Sequence, residues 1–329
     1  MIRLPDGVRC VSNNSQPSLT AQALAALDVD EGQRILEIGT GTAYAAALLG
    51  HLVGSAGAVI SVEIVPQFVE IARQAIAQLG LSNITLVAGD GVFGYEPRAP
   101  FDRILGSVSF REVPRAFAEQ LNPKGRIAIP LRLTPGGDVL VVFDREEGRL
   151  RGHGVCACGY QALLGRQHFD EMDAWIRTDS DPLLRSLLQT QPQSVEFVGA
   201  MVRDVQEAYD FKFWLGIHEE WAGLIDDRPS KRVAHLALLD PNRQSMGAWW
   251  FGETQVRFYG QPKAREQFLT AYDSWTEQGR PCPRDLRMHV SWEDSREDSG
   301  EPGLWRQLGD AMCRIWFETP EAGCTRSVC

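Results

Sequence analysis

No stretch of the 329-residue chain approaches the roughly 20 uninterrupted apolar residues that a membrane-crossing helix needs. The opening residues Met1 to Gly7 contain no apolar leader segment, so a cytoplasmic protein with no membrane partner is expected. Cysteine is sparse and odd in number, seven in all and scattered, which excludes a disulfide framework and favours reduced thiols. Tryptophan is absent from the first 174 residues, yet nine lie between Trp175 and Trp316. Basic residues are outnumbered, 33 against 43 acidic, for a net charge of −10. Residues 1–169 are nearly balanced at 15 basic and 16 acidic, whereas residues 170–329 carry 18 and 27. An acidic chain is a poor match for a phosphate backbone, and no Asn/Asp-Pro-Pro-aromatic loop is present, so no nucleic-acid partner is expected. The two compositions predict two domains, residues 1–168 and residues 169–329.

What is present is an alternation of short β-branched runs with helical patterns. Strands are expected at Arg34–Ile38, Ala58–Glu63, Ile84–Val87, Phe101–Leu105 and Arg126–Pro130. Between them lie helices over about Ala43–Leu52, Pro66–Leu79 and Val113–Leu121, and Val139–Phe143 with Arg149–Cys156 read as a closing pair of strands. The fold class is α/β: a Rossmann-like, mostly parallel sheet with helices on both faces. Beyond about Gly159 the rhythm stops. The later segments predict a C-terminal α+β domain, with helices at Asp181–Leu188 and Gln261–Gln278 and strands at Val195–Arg203, Ala234–Leu239, Gln255–Tyr259 and Leu286–Trp292. Glu293–Gly303 reads as a solvated loop.

The first strand ends in Glu37 and runs into Gly39-Thr40-Gly41, a turn that lets a ligand approach backbone with no Cβ in the way. A dinucleotide fingerprint would place its third glycine at position 44, which is Tyr44. Glu63, 22 residues after Gly41, stands where a carboxylate can accept both hydroxyls of a ribose, and Asp90-Gly91 closes the third strand, where an acid can accept from an adenine amino group. Three acids at three successive strand ends, with no Walker lysine, suit an adenosyl ligand without phosphates. S-adenosyl-L-methionine fits, with Glu37, Gly39, Thr40, Gly41, Glu63, Asp90 and Gly91 as its binding residues.

Ser15-Gln16-Pro17, Ile35-Leu36-Glu37-Ile38-Gly39-Thr40-Gly41, Gly89-Asp90-Gly91 and Ala99-Pro100-Phe101-Asp102 follow one another in the order found in protein-L-isoaspartate O-methyltransferases, and residues 12–133 resemble that family. The resemblance implies methyl transfer from S-adenosylmethionine to the carboxylate of an isoaspartyl or aspartyl residue in a protein or peptide, and in that family the reaction serves repair. It assigns Ser15 to the methyl-transfer site as the catalytic residue, with Asn14, Gln16 and Ser107 as substrate-binding neighbours. Ser15 also reads as an N-cap for a helix beginning near Pro17, whose amides can hold a carboxylate. The sequence departs from the family at Ala43, which replaces a usual glycine, and at Gly106-Ser107-Val108-Ser109.

Two other functions remain open. The chain also looks like a subgroup with an added C-terminal domain, some members of which methylate aspartate in ribosomally made, cyclised peptides to install an imide. The other is a non-catalytic adaptor that recognises modified peptides. His153-x-x-Cys156-x-Cys158 lacks a second paired set, so no metal site is expected. Trp249-Trp250 reads as core rather than as a peptide platform.

Overall fold

Strand β1 (Arg34–Ile38) buries Ile35 on one face and Leu36 and Ile38 on the other, as a strand covered on both sides requires. The computed structural model describes residues 15–135, 137–146, 149–167, 175–197, 201–227, 230–292 and 303–319, with the backbone of Ile2–Arg3 and Arg9–Cys10. Asn14 lies outside the described residues, as do His168 and residues 293–302 of the expected acidic loop.

Around β1 the chain lays down α1 (Pro17–Leu27), α2 (Tyr44–Val53), β2 (Ala58–Glu63), α3 (Pro66–Gln78), β3 (Ile84–Ala88), β4 (Phe101–Gly106), α4 (Arg115–Gln120) and β5 (Leu121–Thr134). The parallel order is β3-β2-β1-β4-β5. Ala23 and Leu27 of α1 and Leu49 and Val53 of α2 cover one face, and Phe117 of α4 joins the core of the other. The fold is the expected α/β class, a mostly parallel central sheet with helices on both faces. No helix among the described residues is long and apolar enough to cross a membrane.

After β5 the sheet turns antiparallel through β6 (Gly137–Glu146) and β7 (Arg149–Cys158). These two were expected to close it. Instead β14 (Leu286–Ser291) pairs with β7, β16 (Ala311–Phe317) with β14, and β15 (Leu304–Leu308) with β16, giving ten strands. The reason is visible in the burial: Met288, Val290, Cys313 and Ile315 supply apolar side chains that continue the main core past β7.

Between β7 and β14 the chain builds a second sheet. Its six strands run in the order β8 (Trp175–Arg177), β10 (Ala222–Asp227), β11 (Arg232–Leu239), β12 (Ser245–Trp250), β13 (Gln255–Gly260) and β9 (Ser194–Phe197). Helices α5 (Pro182–Leu188), α6 (Val205–His218) and α7 (Lys263–Glu277) accompany it. The expected strand over 195–203 ends at Phe197, and Arg203 already belongs to the turn before α6, where Glu207 accepts its backbone and guanidinium N–H groups. Trp250 is fully buried under the Arg232 guanidinium, 4.2 Å from the ring centroid, and Trp249 donates its indole N–H to Glu253, so the pair serves packing.

The second sheet is not hung on a linker. Phe213 and Ile217 of α6 sit in the core of the main sheet, and a Cβ on Gly216 would come within 2.7 Å of Thr134 on β5. The Arg306 guanidinium of β15 donates to the carbonyls of Leu133 and Ile217. A division of the chain at residue 168 therefore meets a topology in which later residues complete the first core. Ile217→Ala is expected to lower unfolding free energy by about 2–4 kcal/mol, the range for emptying a buried aliphatic site, measured by urea denaturation.

Candidate functional site

The order of the parallel strands reverses at β1, which has β2 on one side and β4 on the other. Loops leaving the carboxyl ends of β1 and β4 then diverge and leave a crevice between them, the general ligand position in open α/β sheets. Gly39 turns the chain there with φ +91°, and a Cβ on it would lie 2.8 Å from Val108 Cγ1 in the loop after β4. The Ser107 N–H donates to the Ile38 carbonyl at 2.8 Å, which seats the two loops against each other. Ala43, at the N-cap of α2, also adopts a left-handed φ of +65°. That conformation costs an L-residue roughly 1–2 kcal/mol, which accounts for glycine as the usual occupant.

Glu63 at the end of β2 points into this turn. One carboxylate oxygen accepts the Gly41 N–H and the other the Val65 N–H, both at 2.9 Å. The first bond fixes the glycine turn and the second the entry to α3. Glu63 is 7 % exposed and lines the cavity, with a second lone pair on each oxygen for a ligand hydroxyl.

Glu37 is fully buried on the α1–α2 side of β1. Ser61 donates to one of its oxygens at 2.6 Å and Ser107 to the other at 3.0 Å, while the Thr40 and Ser61 hydroxyls share a 2.5 Å hydrogen bond. Burial pushes the Glu37 carboxyl up to about 7, against the pull of the two serine hydrogen bonds and with help from the nearby negative Glu63. A carboxyl so poised carries charge readily once a cation arrives beside it.

The Asp90 carboxylate accepts from the Val92 N–H at 3.1 Å and the Arg166 N–H at 2.7 Å. It thereby tethers the segment that crosses the strand ends, whose residues Gln161 to Leu164 wall the cavity. Gly91 lines that cavity, and a Cβ on it would meet Ile38 Cγ2 at 2.4 Å. Asp90 itself is not among the residues that line either cavity.

Ser15 corrects one expectation. The N-cap of α1 is Gln16, whose side chain makes no capping bond; its carbonyl accepts from Leu19 and Thr20. Proline at the first helical position already removes one donor that a cap would serve. Ser15 instead shares a cavity wall with Tyr160. Both line one cavity with Glu37, Thr40, Ser107 and Tyr44. Gln16 is exposed and outside that lining.

Two cavities thus flank the glycine turn and share Gly39, Gly41 and Ser107. One is hydroxyl-rich around Glu37. The other joins Glu63 to Ile64, Phe68, Leu163 and Leu164. Among the described residues neither lining includes a lysine or arginine, so a phosphate would meet carboxylates with no counter-charge there, whereas a nucleoside carrying an ammonium group meets the chemistry it needs. Sequence reasoning missed Tyr160, Ser61 and the 161–164 wall. The signal for Tyr160 was its place just past the last strand of the β6–β7 pair, where the chain turns back over the strand ends.

A family model described as protein-L-isoaspartate(D-aspartate) O-methyltransferase matches residues 5–168. Similar curated proteins include protein-L-isoaspartate O-methyltransferase 1 of Archaeoglobus fulgidus, 41% identical over 159 residues, which make 48% of this chain and 72% of that protein. The protein of the same name from Methanothrix thermoacetophila is 37% identical over 158 residues, 48% of this chain and 73% of its own. A solved structure titled protein-L-isoaspartate O-methyltransferase covers 84% of this chain and 78% of its own at 25% identity, with a TM-score of 0.48.

The buried Glu37 gives a pH signature. Its carboxyl moves from 4.5 in the unfolded chain to about 7 in the fold. Its contribution is therefore fully present below pH 4.5, falls as pH rises, and is lost above 7; the loss is on the order of 3 kcal/mol. In Glu37→Gln that slope is absent, so the difference in urea-unfolding free energy between variant and parent should shift in the variant's favour from pH 4.5 to 7.5 and then level off.

Proposed function

The chain belongs to the protein-L-isoaspartate O-methyltransferase family, and on that premise we propose that its switch-point crevice joins a methyl group to the free α-carboxylate of an isoaspartyl residue. It is an enzyme, a methyltransferase, and its cofactor is S-adenosylmethionine. The observation that carries the reading is the pair of cavities around one glycine turn, one lined by Glu63 and apolar side chains, the other by Glu37 and hydroxyls, with no lysine or arginine among the described residues that line them.

The residues fit that cofactor. Glu63 would accept the ribose hydroxyls, Gly41 and Gly91 give room beside the nucleoside, and Phe68, Leu163 and Leu164 offer apolar surface. Glu37, with Gly39 and Thr40, would lie on the amino-acid side, where an ammonium group stabilises its ionised form. Asp90 would act through the wall segment that it tethers. When bound, the cofactor supplies an electrophilic methyl group on a sulfonium. An acceptor carboxylate with a reference pKa near 4 is ionised at pH 7 and needs no general base. Ser15 donates a hydrogen bond that orients it, Ser107 bounds the pocket beside it, and the wall over 161–164 keeps water out. Once made, the ester is open to attack by the next backbone nitrogen. The N–C bond forms, methanol leaves with the proton, and hydrolysis of the resulting succinimide returns part of the material to aspartate.

The chain beyond residue 168, which the family model does not match, favours a second reading: maturation of a cyclised peptide at aspartate. One assay separates the two. Purified protein with labelled S-adenosylmethionine should produce base-labile methyl ester on isoaspartyl peptides, while generic aspartyl peptides stay unlabelled. Turnover confined to an aspartyl peptide, with net loss of water by mass spectrometry, supports maturation instead. No ester on either overturns the proposal. Glu63→Ala should raise the Kd of S-adenosylhomocysteine at least about tenfold, or about 1.4 kcal/mol, in calorimetry, with the fold retained by circular dichroism. An unchanged Kd removes Glu63 from the site.

A further inference from the structure

We propose that the groove between α1 and α2 holds apolar residues that flank the acceptor in an extended peptide substrate, with Tyr44 at its mouth. The inference rests on the reading given above, in which the acceptor carboxylate sits in the cavity that Ser15 lines. Both helices open beside that cavity: α1 begins two residues after Ser15, and α2 begins at Tyr44, just past the glycine turn. They lie on the same face of the sheet and run away from the crevice together, since α1 leads toward the start of β1 and α2 leaves from its end. Pro17 and Tyr44 therefore stand at one end of the groove, and Asp28 and Leu52 at the other. Tyr44 lines both the groove and the cavity around Glu37 and Ser15, so the two spaces meet at its ring.

The groove walls are apolar beyond what the core requires. A surface helix ordinarily carries one apolar stripe. α1 turns Ala23 and Leu27 to the sheet, yet Ala21, Leu24 and Ala25 form a second stripe along the groove, and Leu48 and Leu52 of α2 stand opposite. Tyr44 and Leu52 are exposed there. The groove holds about 1070 Å³, open to solvent, against about 450 and 620 Å³ for the cavities at the glycine turn, so it suits a length of chain rather than a single group. The 11 residues of α1 span about 16 Å, which is the reach of about five extended residues at roughly 3.3 Å each. Asp28 in the lining already has the Arg126 guanidinium at 3.9 Å, so the far end does not ask for a basic flank. What such a surface rewards is burial of apolar side chains.

The test uses the full chain and three sets of peptides, each with one isoaspartyl residue and five residues on either side. The flanks are serine and glycine, leucine and alanine, or serine with lysine. Apolar flanks are expected to lower KM at least about tenfold with kcat within about twofold, because a contact made equally in the bound and transition states moves KM alone. In Ala25→Glu and Leu52→Glu, which place a carboxylate on opposite walls, that preference should fall to within about twofold and pass to the lysine-flanked set. Circular dichroism and S-adenosylhomocysteine affinity report on the fold. Damage to the fold would not create a taste for lysine. If the parent methylates all three sets with equal kcat/KM, or if the apolar preference survives both substitutions, the groove proposal is overturned and the acceptor reading stands. A preference lost only in step with S-adenosylhomocysteine affinity also overturns it. A parent that is a dimer by light scattering, shows no flank preference and becomes a monomer in Leu52→Glu assigns the groove to a second copy and overturns it too. A parent that methylates none of the sets overturns the acceptor reading and the groove proposal with it.

Discussion

Two carboxylates at the ends of neighbouring parallel strands fix the geometry on which the site depends. Glu63 accepts from Gly41 and Val65, amides that a glycine turn and a helix entry would otherwise leave without partners. Glu37 sits one strand over, fully buried, where the hydroxyls of Ser61 and Ser107 donate to it. Burying such a group is costly, and the elevated Glu37 pKa is the measure of that cost. The cost is tolerated because the serine bonds tie β1, β2 and the loop after β4 together at one point. The turn is therefore formed before any ligand enters, and binding need not order it.

The same logic of shared support extends to the later half of the chain. β14 and β16 extend the main sheet beyond β7, so the edge that β7 would otherwise present is covered. Phe213 and Ile217 reach into the main core from α6, and Gly216 permits the close approach that puts them there. A segment that completes another segment's core cannot move far without opening it. The tryptophan-rich sheet thus stands in a set position relative to the first core.

Much of this was legible because the parallel sheet writes a strong signal. Ile35 and Leu36 are both apolar since both faces of β1 are covered, and the acids at 37 and 63 interrupt that apolar pattern at the strand ends. Asp102 was legible as a motif but not in role: it accepts the Arg34 N–H at 2.8 Å and the Asn122 amide at 2.6 Å, knitting the strand starts at the far end of the sheet. The late strands were less legible. β12 carries glycine and alanine ahead of its paired tryptophans, and α6 mixes Asp210 and Lys212 into an otherwise apolar middle, so neither shows a clean period. That β14 to β16 would join the first sheet rather than the second could not be read from pattern at all, since pairing across some 130 residues is decided by tertiary packing.

Ser15 shows how one pattern can carry two meanings. Serine two residues ahead of proline is a common helix start, and the helix does start there. Yet with Gln16 in the cap position and Pro17 lacking an N–H, the first turn has one donor fewer to satisfy, and the serine is released from capping. Tyr160, which follows β7, lines the same cavity as Ser15. The cavity that Ser15 lines thus sets the hydroxyls of Thr40, Ser107 and Tyr160 beside one buried carboxyl, Glu37, and on the proposed reading an acceptor that arrives already ionised asks such a wall for direction rather than for removal of a proton.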